Sequence, residues 1–335
     1  MQINSKILYL TSKRTLWWIK TLIVVGVLYA TYLLISLKGV DMVAIKQSFE
    51  RIYSGANIIL LLIVLALTPI NWSFEAWKWQ KLASKVENIS FWEAYRGVLV
   101  GLTFSIATPM MLGDYAGKIL MLKSDKRLQS IGAILLGNGM QTYVSILFGA
   151  ISYLFFMFWS KPTPVYLHLS IIFFLIIAII FGLFVSINFH RVDSFSTQNK
   201  GLQFISKHLH ILKYYKGIEL RNIFFIASAR YVVFTIQFLI VLKIFEINSP
   251  IIVLLAGIGM IFLAKTLAAI LNFVGDLSVR ELTSVYYFSY FGVNTSLIAA
   301  ATLMIWLINV LLPILLGSLF ILQIKLTTKK DIKCS

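Results

Sequence analysis

The sequence predicts an all-α, polytopic integral membrane protein with about six full spans and two broken, re-entrant helix pairs. Three observations lead there. Hydrophobic residues make up 59% of the 335 and charged residues only 13%, against roughly 45–50% and about 25% in soluble domains. Apolar runs of about 20 residues, enough to cross a hydrocarbon core, recur along the chain. Lys and Arg number 30 against 13 Asp and Glu. In a soluble protein that excess would point to nucleic acid; in a chain this apolar it marks cytoplasmic loops. The same figures exclude a soluble globular enzyme. Abundant Phe (25) and Tyr (15) with scarce Pro (6) exclude disorder.

In chain order, the first span is 17–37. Lys6, Lys13, Arg14 and Lys20 crowd its start, and its 21 residues exceed a secretory core of about 7–15. It reads as a retained anchor with the N-terminus inside. Further full spans are expected at 57–77, 130–159, 165–187, 222–245 and 295–322. Trp17 and Trp18, then Trp72, Trp77 and Trp79 with Lys78 and Lys81, then Trp159 before Lys161-Pro162 read as interfacial markers.

Two stretches do not fit plain spans. In 91–123, an apolar run from 97 to 107 breaks at Thr108-Pro109 and restarts after Gly113-Asp114. The piece 114–123 is about 15 Å of helix, half a hydrocarbon core. In 250–292, a span over 250–274 ends at Gly275-Asp276, and the next segment, 276–291, is about 24 Å long with three charges in its first six residues. Both read as pairs that enter and return on one side. With the N-terminus inside, the inner face then holds 21 of the 30 Lys and Arg and the outer face 5, with Arg96, Arg230, Lys265 and Arg280 at membrane depth. That asymmetry predicts both termini on the cytoplasmic side of a bacterial plasma membrane.

On this topology the first pair enters from inside and the second from outside. They also share a local pattern. Gly113-Asp114-Tyr115-Ala116-Gly117-Lys118 parallels Gly275-Asp276-Leu277-Ser278-Val279-Arg280: Gly, Asp, three residues, then a cation. Paired broken segments of opposite entry mark inverted-repeat transporters. The single transmembrane domain, 1–335, is therefore expected to hold repeats near 91–159 and 250–322.

These breaks supply the candidate site. Asp114 and Lys118 stand at i, i+4, as do Asp276 and Arg280. That spacing allows an internal ion pair, acid before base, and Asp after Gly caps a helix start. The functional reading is that helix N-termini with Lys118 and Arg280 bind an anionic headgroup. Arg96 and Lys265 lie within the broken spans; charges there are costly in lipid and point to function, though each can snorkel. Asn138, Gln141 and Asn309 interrupt long apolar helices, explained by interhelical hydrogen bonds first and a cavity lining second. With Pro109, Gly113, Gly275 and Glu281 from the breaks, the candidate substrate-binding set is Arg96, Pro109, Gly113, Asp114, Lys118, Gln141, Lys265, Gly275, Asp276, Arg280 and Glu281. Gly97-x-x-x-Gly101 permits close helix packing. No nucleophile elbow, Walker loop or zincin motif occurs. One cysteine, Cys334, and four scattered histidines offer no metal framework, so no cofactor is expected.

At the two breaks the chain resembles the lysylphosphatidylglycerol synthase transmembrane region, the flippase-like domain family, over roughly residues 10–325. The family's first motif, approximately P-x-R-x-G-[DE]-x-x-x-[RK], falls on Pro109 to Lys118, with Met111 where the motif has arginine. The second, approximately P-G-G-L-G-V-R-E, falls on Val274 to Glu281, with Val274, Asp276 and Ser278 replacing a proline and two glycines. An L-P-x-L-x-G-like end stands at 312–317. The resemblance implies two broken-helix elements around a central cavity and movement of a lipid between leaflets. Bifunctional members carry a following soluble aminoacyl-transferase domain; the sequence ends at Ser335 without one, so aminoacyl transfer is not expected. The leading reading is a flippase for an anionic phospholipid or lipid-linked intermediate, and not an enzyme. The alternatives are an integral-membrane transferase acting on a lipid phosphate, or a non-catalytic partner of a membrane glycosyltransferase. The expected partner is an anionic membrane lipid, with a homo-oligomer or that glycosyltransferase as protein partners.

Overall fold

The computed structural model describes residues 50, 55–106, 108, 112–124, 127–160, 164–188, 210–271 and 276–323. The span expected at 17–37 lies outside the described residues. Among the described residues the secondary structure is helical without strands, as lipid requires of any chain that does not close a barrel. The protein is a multi-pass membrane protein. Among the described residues six helical stretches are long and apolar enough to span: 57–83, 127–160, 165–187, 217–244, 251–269 and 295–322.

Helix α1 is Gly55–Ala83 and α2 is Phe91–Ile106. A reciprocal cap starts α2: Glu93 Oε2 accepts from the Ser90 N–H at 2.9 Å, and Ser90 Oγ accepts from the Glu93 N–H at 3.2 Å. Helix α3, Leu112–Leu120, has 9 residues, about 14 Å, so it cannot cross alone. Between α2 and α3 the Thr108 hydroxyl accepts the Gly113 N–H at 2.8 Å and closes the turn.

Then come α4 (Ser130–Ser160), α5 (Val165–Ile187) and α6 (Gly217–Ile244). Helix α7 is Ile251–Leu271, and α8, Asp276–Ser289, has 14 residues, about 21 Å. The last span is built in three pieces: α9 (Thr295–Trp306), a π-helical segment (Leu307–Leu311) and α10 (Leu312–Gln323). Asn294 caps its start by accepting from the Ser296 and Leu297 N–H groups.

Helices α2 and α3 pack as a hairpin whose main chains approach closely at Gly101, Gly113 and Gly117. A Cβ added at Gly117 would collide with the Gly101 main chain, and one at Gly113 with the main chain of Phe104 and Ser105. The G-x-x-x-G spacing at 97–101 thus faces a second one at 113–117. In α7 and α8 the close approach is of another kind: Gly257 lies under the rings of Tyr287 and Phe288.

The packing between elements follows a reciprocal plan. The two hairpins are α2 on α3 and α7 on α8. The long helix after each hairpin leans on the first helix of the other: α4 on α7, and α10 on α2. The helices that precede the hairpins, α1 and α6, pack on each other. Helix α1 also touches α2, α4 and the π segment, while α6 touches α7, α9 and α4.

Two sequence expectations are corrected. Helix α1 runs to Ala83 rather than 77, so Lys78 and Trp79 do not sit in an interfacial belt. They are buried at 2% and 1% exposure, while Trp77 beside them is 43% exposed. Lys78 and Lys118, counted with the inner loops, are both buried side chains. Moving those two into the membrane-depth group lowers the inner count from 21 to 19, still far above 5.

Candidate functional site

One face of α1 carries a polar stripe. Thr68, Asn71, Glu75 and Lys78 recur at helical spacing, and all are buried. Across from it, α6 offers Arg230 and Gln237, seven residues apart on one face. The two stripes zip together. Gln237 donates to the Val64 carbonyl at 3.0 Å and to the Thr68 hydroxyl at 3.1 Å, and Asn71 donates to Gln237 at 3.3 Å.

Where the stripes meet α3, they form a charge cluster around Glu75. Its Oε2 lies 2.7 Å from Lys78 Nζ and 3.0 Å from Arg230 Nη1, and its Oε1 lies 3.2 Å from Lys118 Nζ. Lys118 also pairs with Asp114 at 2.9 Å, and Asp114 accepts from Asn138 Nδ2 of α4 at 3.0 Å. Arg230 donates through Nε to Asn71 at 3.0 Å and through Nη1 to Gln141 at 3.5 Å. Two rings brace the cations: Arg230 lies 4.9 Å from the Trp72 centroid and Lys118 5.9 Å from that of Trp79. By formal charge the five ionisable residues are three cations and two carboxylates, a net +1. Burying ions in a low-dielectric interior is expensive unless they are paired, so an excess positive charge here favours an incoming anion.

The sequence-predicted residues divide accordingly. Asp114, Lys118 and Gln141 join the cluster. Gly113 allows α3 to reach it by packing against the α2 main chain. Arg96 stands apart, its guanidinium 5.1 Å from the Trp92 ring and 5.5 Å from that of Phe320. Lys265 and Glu281 are half-buried on α7 and α8. Arg280 is 1% exposed and lies 5.4 Å from the Phe234 ring. Phe234 is one turn along α6 from Arg230, so both cations approach the same face of that helix. Pro109 and Gly275 lie outside the described residues, and of Asp276 only its place at the start of α8 is described.

The cluster's centre, Glu75, is absent from the predicted set, as are Lys78 and Asn71, and the sequence marks Arg230 only as a cation at membrane depth. The i, i+4, i+7 spacing of Asn71, Glu75 and Lys78 inside an apolar helix was the signal. Asn309 also departs from expectation: its main-chain carbonyl accepts from Trp72 Nε1 at 3.1 Å, but its buried carboxamide has no hydrogen-bond partner among the described residues. Beyond the cluster, a cavity of about 330 Å3 opens between the end of α1 and the start of α6, lined by Trp77, Gln80, Lys81, Asn88, Glu219 and Asn222 among others.

The profile of the family described as lysylphosphatidylglycerol synthase TM region matches residues 17–317. The chain belongs to that family. No curated protein and no solved structure matches it. Membership makes this chain a membrane protein of a family tied to lipid biosynthesis or translocation. The α2–α3 hairpin with its Gly-Asp-x3-Lys run, and the α8 start with its Asp-x3-Arg, both lie within the matched region.

Proposed function

We propose that the protein moves an anionic lipid between leaflets, holding the headgroup phosphate at the Glu75–Lys118–Arg230 cluster. One observation carries the reading: three cations, two of them buried, gather around Glu75, and with Asp114 counted the cluster holds one positive charge in excess. In the resting state Glu75 stands in for the anion. A phosphate entering the cluster takes over the hydrogen bonds of Lys118 and Arg230, and Glu75 keeps Lys78. The cost of carrying a charged headgroup across hydrocarbon is thereby met inside the protein.

The headgroup's entry is the cavity at the end of α1. Lys81 lines it, and Lys78, three residues back on the same helix, touches the cluster. The exit lies on the side of α8, where Arg280 packs against the α6 face that holds Arg230. The reciprocal packing of the helices supports a two-fold arrangement of repeats of opposite orientation. On that reading each repeat is larger than a hairpin and one span: it begins at α1 in the first half and at α6 in the second. Both termini then face the cytoplasm of a bacterial cell, and tags at residues 1 and 335 are protected from external reagents in intact cells.

The test is leaflet exchange of labelled anionic phospholipids in proteoliposomes. The expected result is exchange that depends on the protein and on headgroup charge. Absence of exchange for every lipid, with protein that is folded and inserted, overturns the proposal. An exposed C-terminal tag overturns the topology.

A further inference from the structure

The three cations of the charge cluster are not held alike. Arg230 keeps its proton at any accessible pH. Lys118 Nζ donates to Asp114 Oδ2 at 2.9 Å and to Glu75 Oε1 at 3.2 Å, so a neutral Lys118 would strip Asp114 of its cation. Lys78 differs. It is buried, its carboxylate contact is Glu75 Oε2 at 2.7 Å, and that contact is an ion pair without hydrogen-bond alignment: Nζ has no hydrogen-bond partner among the described residues. An ammonium has three N–H groups to satisfy. Glu75 Oε2 also lies 3.0 Å from Arg230, so Glu75 stays paired when Lys78 is neutral. The other charged groups facing Lys78 are Lys118 of α3, with Asp114 behind it, and Arg230 of α6. Helix α4 presents Gly137 to the lysine stem and carries no charged residue. Elsewhere on α2 and α6, Glu93 pairs with Lys123, Glu219 with Lys85, Arg96 lies on Trp92, and Arg221 and Lys243 are exposed.

This asymmetry answers a question of charge. With every member ionised, three cations face two carboxylates. A bound phosphodiester, with its single negative charge, balances the set. The empty site keeps an unbalanced charge in a low-dielectric interior, which is costly, and an alternating-access carrier must return through that state to load again. We propose that Lys78 carries a proton with the lipid: its amine takes up one proton as the phosphate binds and gives it up as the phosphate leaves. No other bond forms or breaks, and the loaded and the empty site are both electroneutral when they reorient. The proton has a way out. Lys81 and Leu82, about one turn further along α1, line the cavity of about 330 Å3 at the end of that helix. The inference rests on the anionic-lipid reading above and adds what drives it: the lipid moves toward the alkaline side of the membrane.

The experiment imposes a step of one pH unit across proteoliposomes of phosphatidylcholine and labelled phosphatidylglycerol, with protein-free vesicles as the baseline. The expected result is that the wild type concentrates the label in the leaflet on the alkaline side, whichever way the protein inserts, toward a limit of about tenfold for one proton per lipid. A potassium diffusion potential of either sign leaves the distribution unchanged. Lys78→Met abolishes the accumulation and makes the remaining exchange sensitive to voltage, because the loaded site now carries a net negative charge. Lys78→Arg fixes the positive charge: label still exchanges between leaflets but no longer accumulates. It serves as the second variant where Lys78→Met does not insert. A merely structural lysine would lower exchange and accumulation together, without the gain of voltage sensitivity. Accumulation that survives in either inserted variant overturns the role of Lys78. Wild-type exchange that ignores the pH step, or accumulation on the acidic side, overturns the coupling and leaves the flippase reading standing. Failure of the wild type to exchange any anionic lipid sinks the flippase reading, and the coupling with it.

Discussion

The two broken helix pairs solve one problem by different means. In α2–α3 the helices meet main chain to main chain through Gly101 and Gly117, and the cation of the short helix is netted by two carboxylates. In α7–α8 the helices meet through rings, Gly257 lying under Tyr287 and Phe288. The cation of that short helix, Arg280, lies against the Phe234 ring. The second hairpin is also pinned by the Tyr287 hydroxyl, which donates to the Val253 carbonyl at 3.0 Å. Main-chain contact leaves nothing that can yield, whereas ring edges can shift by a few tenths of an ångström. The first pair is therefore the rigid holder of the charge cluster, and the second the element with room to move.

The comparison is broken most directly at the glycines. Gly117→Ala puts a methyl into the Gly101 main chain and should abolish folded protein, read as loss of the monodisperse peak in detergent. Gly257→Ala meets ring atoms at 2.6 and 2.8 Å and should cost about 1–3 kcal/mol, in the range of ordinary overpacking, read as a modest drop in Tm. Equal losses would erase the distinction between the hairpins.

Next in size is Glu75→Gln. It leaves Lys78, Lys118 and Arg230 with Asp114 as the only acid, and removing one partner of a buried ion pair costs roughly 3–5 kcal/mol. Adding Lys78→Met should recover much of the Tm, since the excess positive charge falls again. Failure of that rescue would mean that Glu75 acts through packing rather than charge.

The cations sharpen the contrast. Lys118→Gln and Arg280→Gln should each cut lipid exchange, and their double mutant should lose little more than the worse single, because both act on one ligand. Lys118→Gln should also lower Tm by unmasking Asp114. If Asp114→Asn restores exchange in Lys118→Gln, Lys118 is structural and the phosphate site shifts to Arg230. The smallest effect is expected at Arg96. Arg96→Gln loses its stacking on Trp92 and Phe320, about 1 kcal/mol or less, with lipid exchange unchanged.

Most of the helical plan was legible because periodicity and length are written locally. Spans at 130–159 and 165–187 fall within a residue of α4 and α5 at both ends, and helices end at Ile106 and Leu271 and restart at Leu112 and Asp276, on either side of the expected breaks. The site was legible in part. Asp114 and Lys118 announce each other by spacing, but Glu75 announces itself only once its neighbours are known. It sits between Trp72, Trp77 and Lys78, and that company reads as a helix leaving the membrane. The three-dimensional partner, Arg230, is 155 positions away, and no local pattern joins the two. Asn309 was visible as a polar interruption, but whether its carboxamide finds a partner depends on how α1 docks.

Helix α5 packs chiefly on α4, and of its residues only His168 and Leu175 are buried. A polar clasp ties it to α4, the Tyr153 hydroxyl and His168 Nδ1 at 2.7 Å. So loosely held a helix contributes little to the core, yet on the proposed topology it controls parity. There the α2–α3 pair returns to its own side, and α1 and α6 run in opposite directions only because two crossings, α4 and α5, separate them. Remove α5 and the second half of the chain would be threaded through the membrane the other way up, parallel to the first. Its role is then to be counted rather than to be packed. That leaves its surface free to be as featureless as the acyl chains around it.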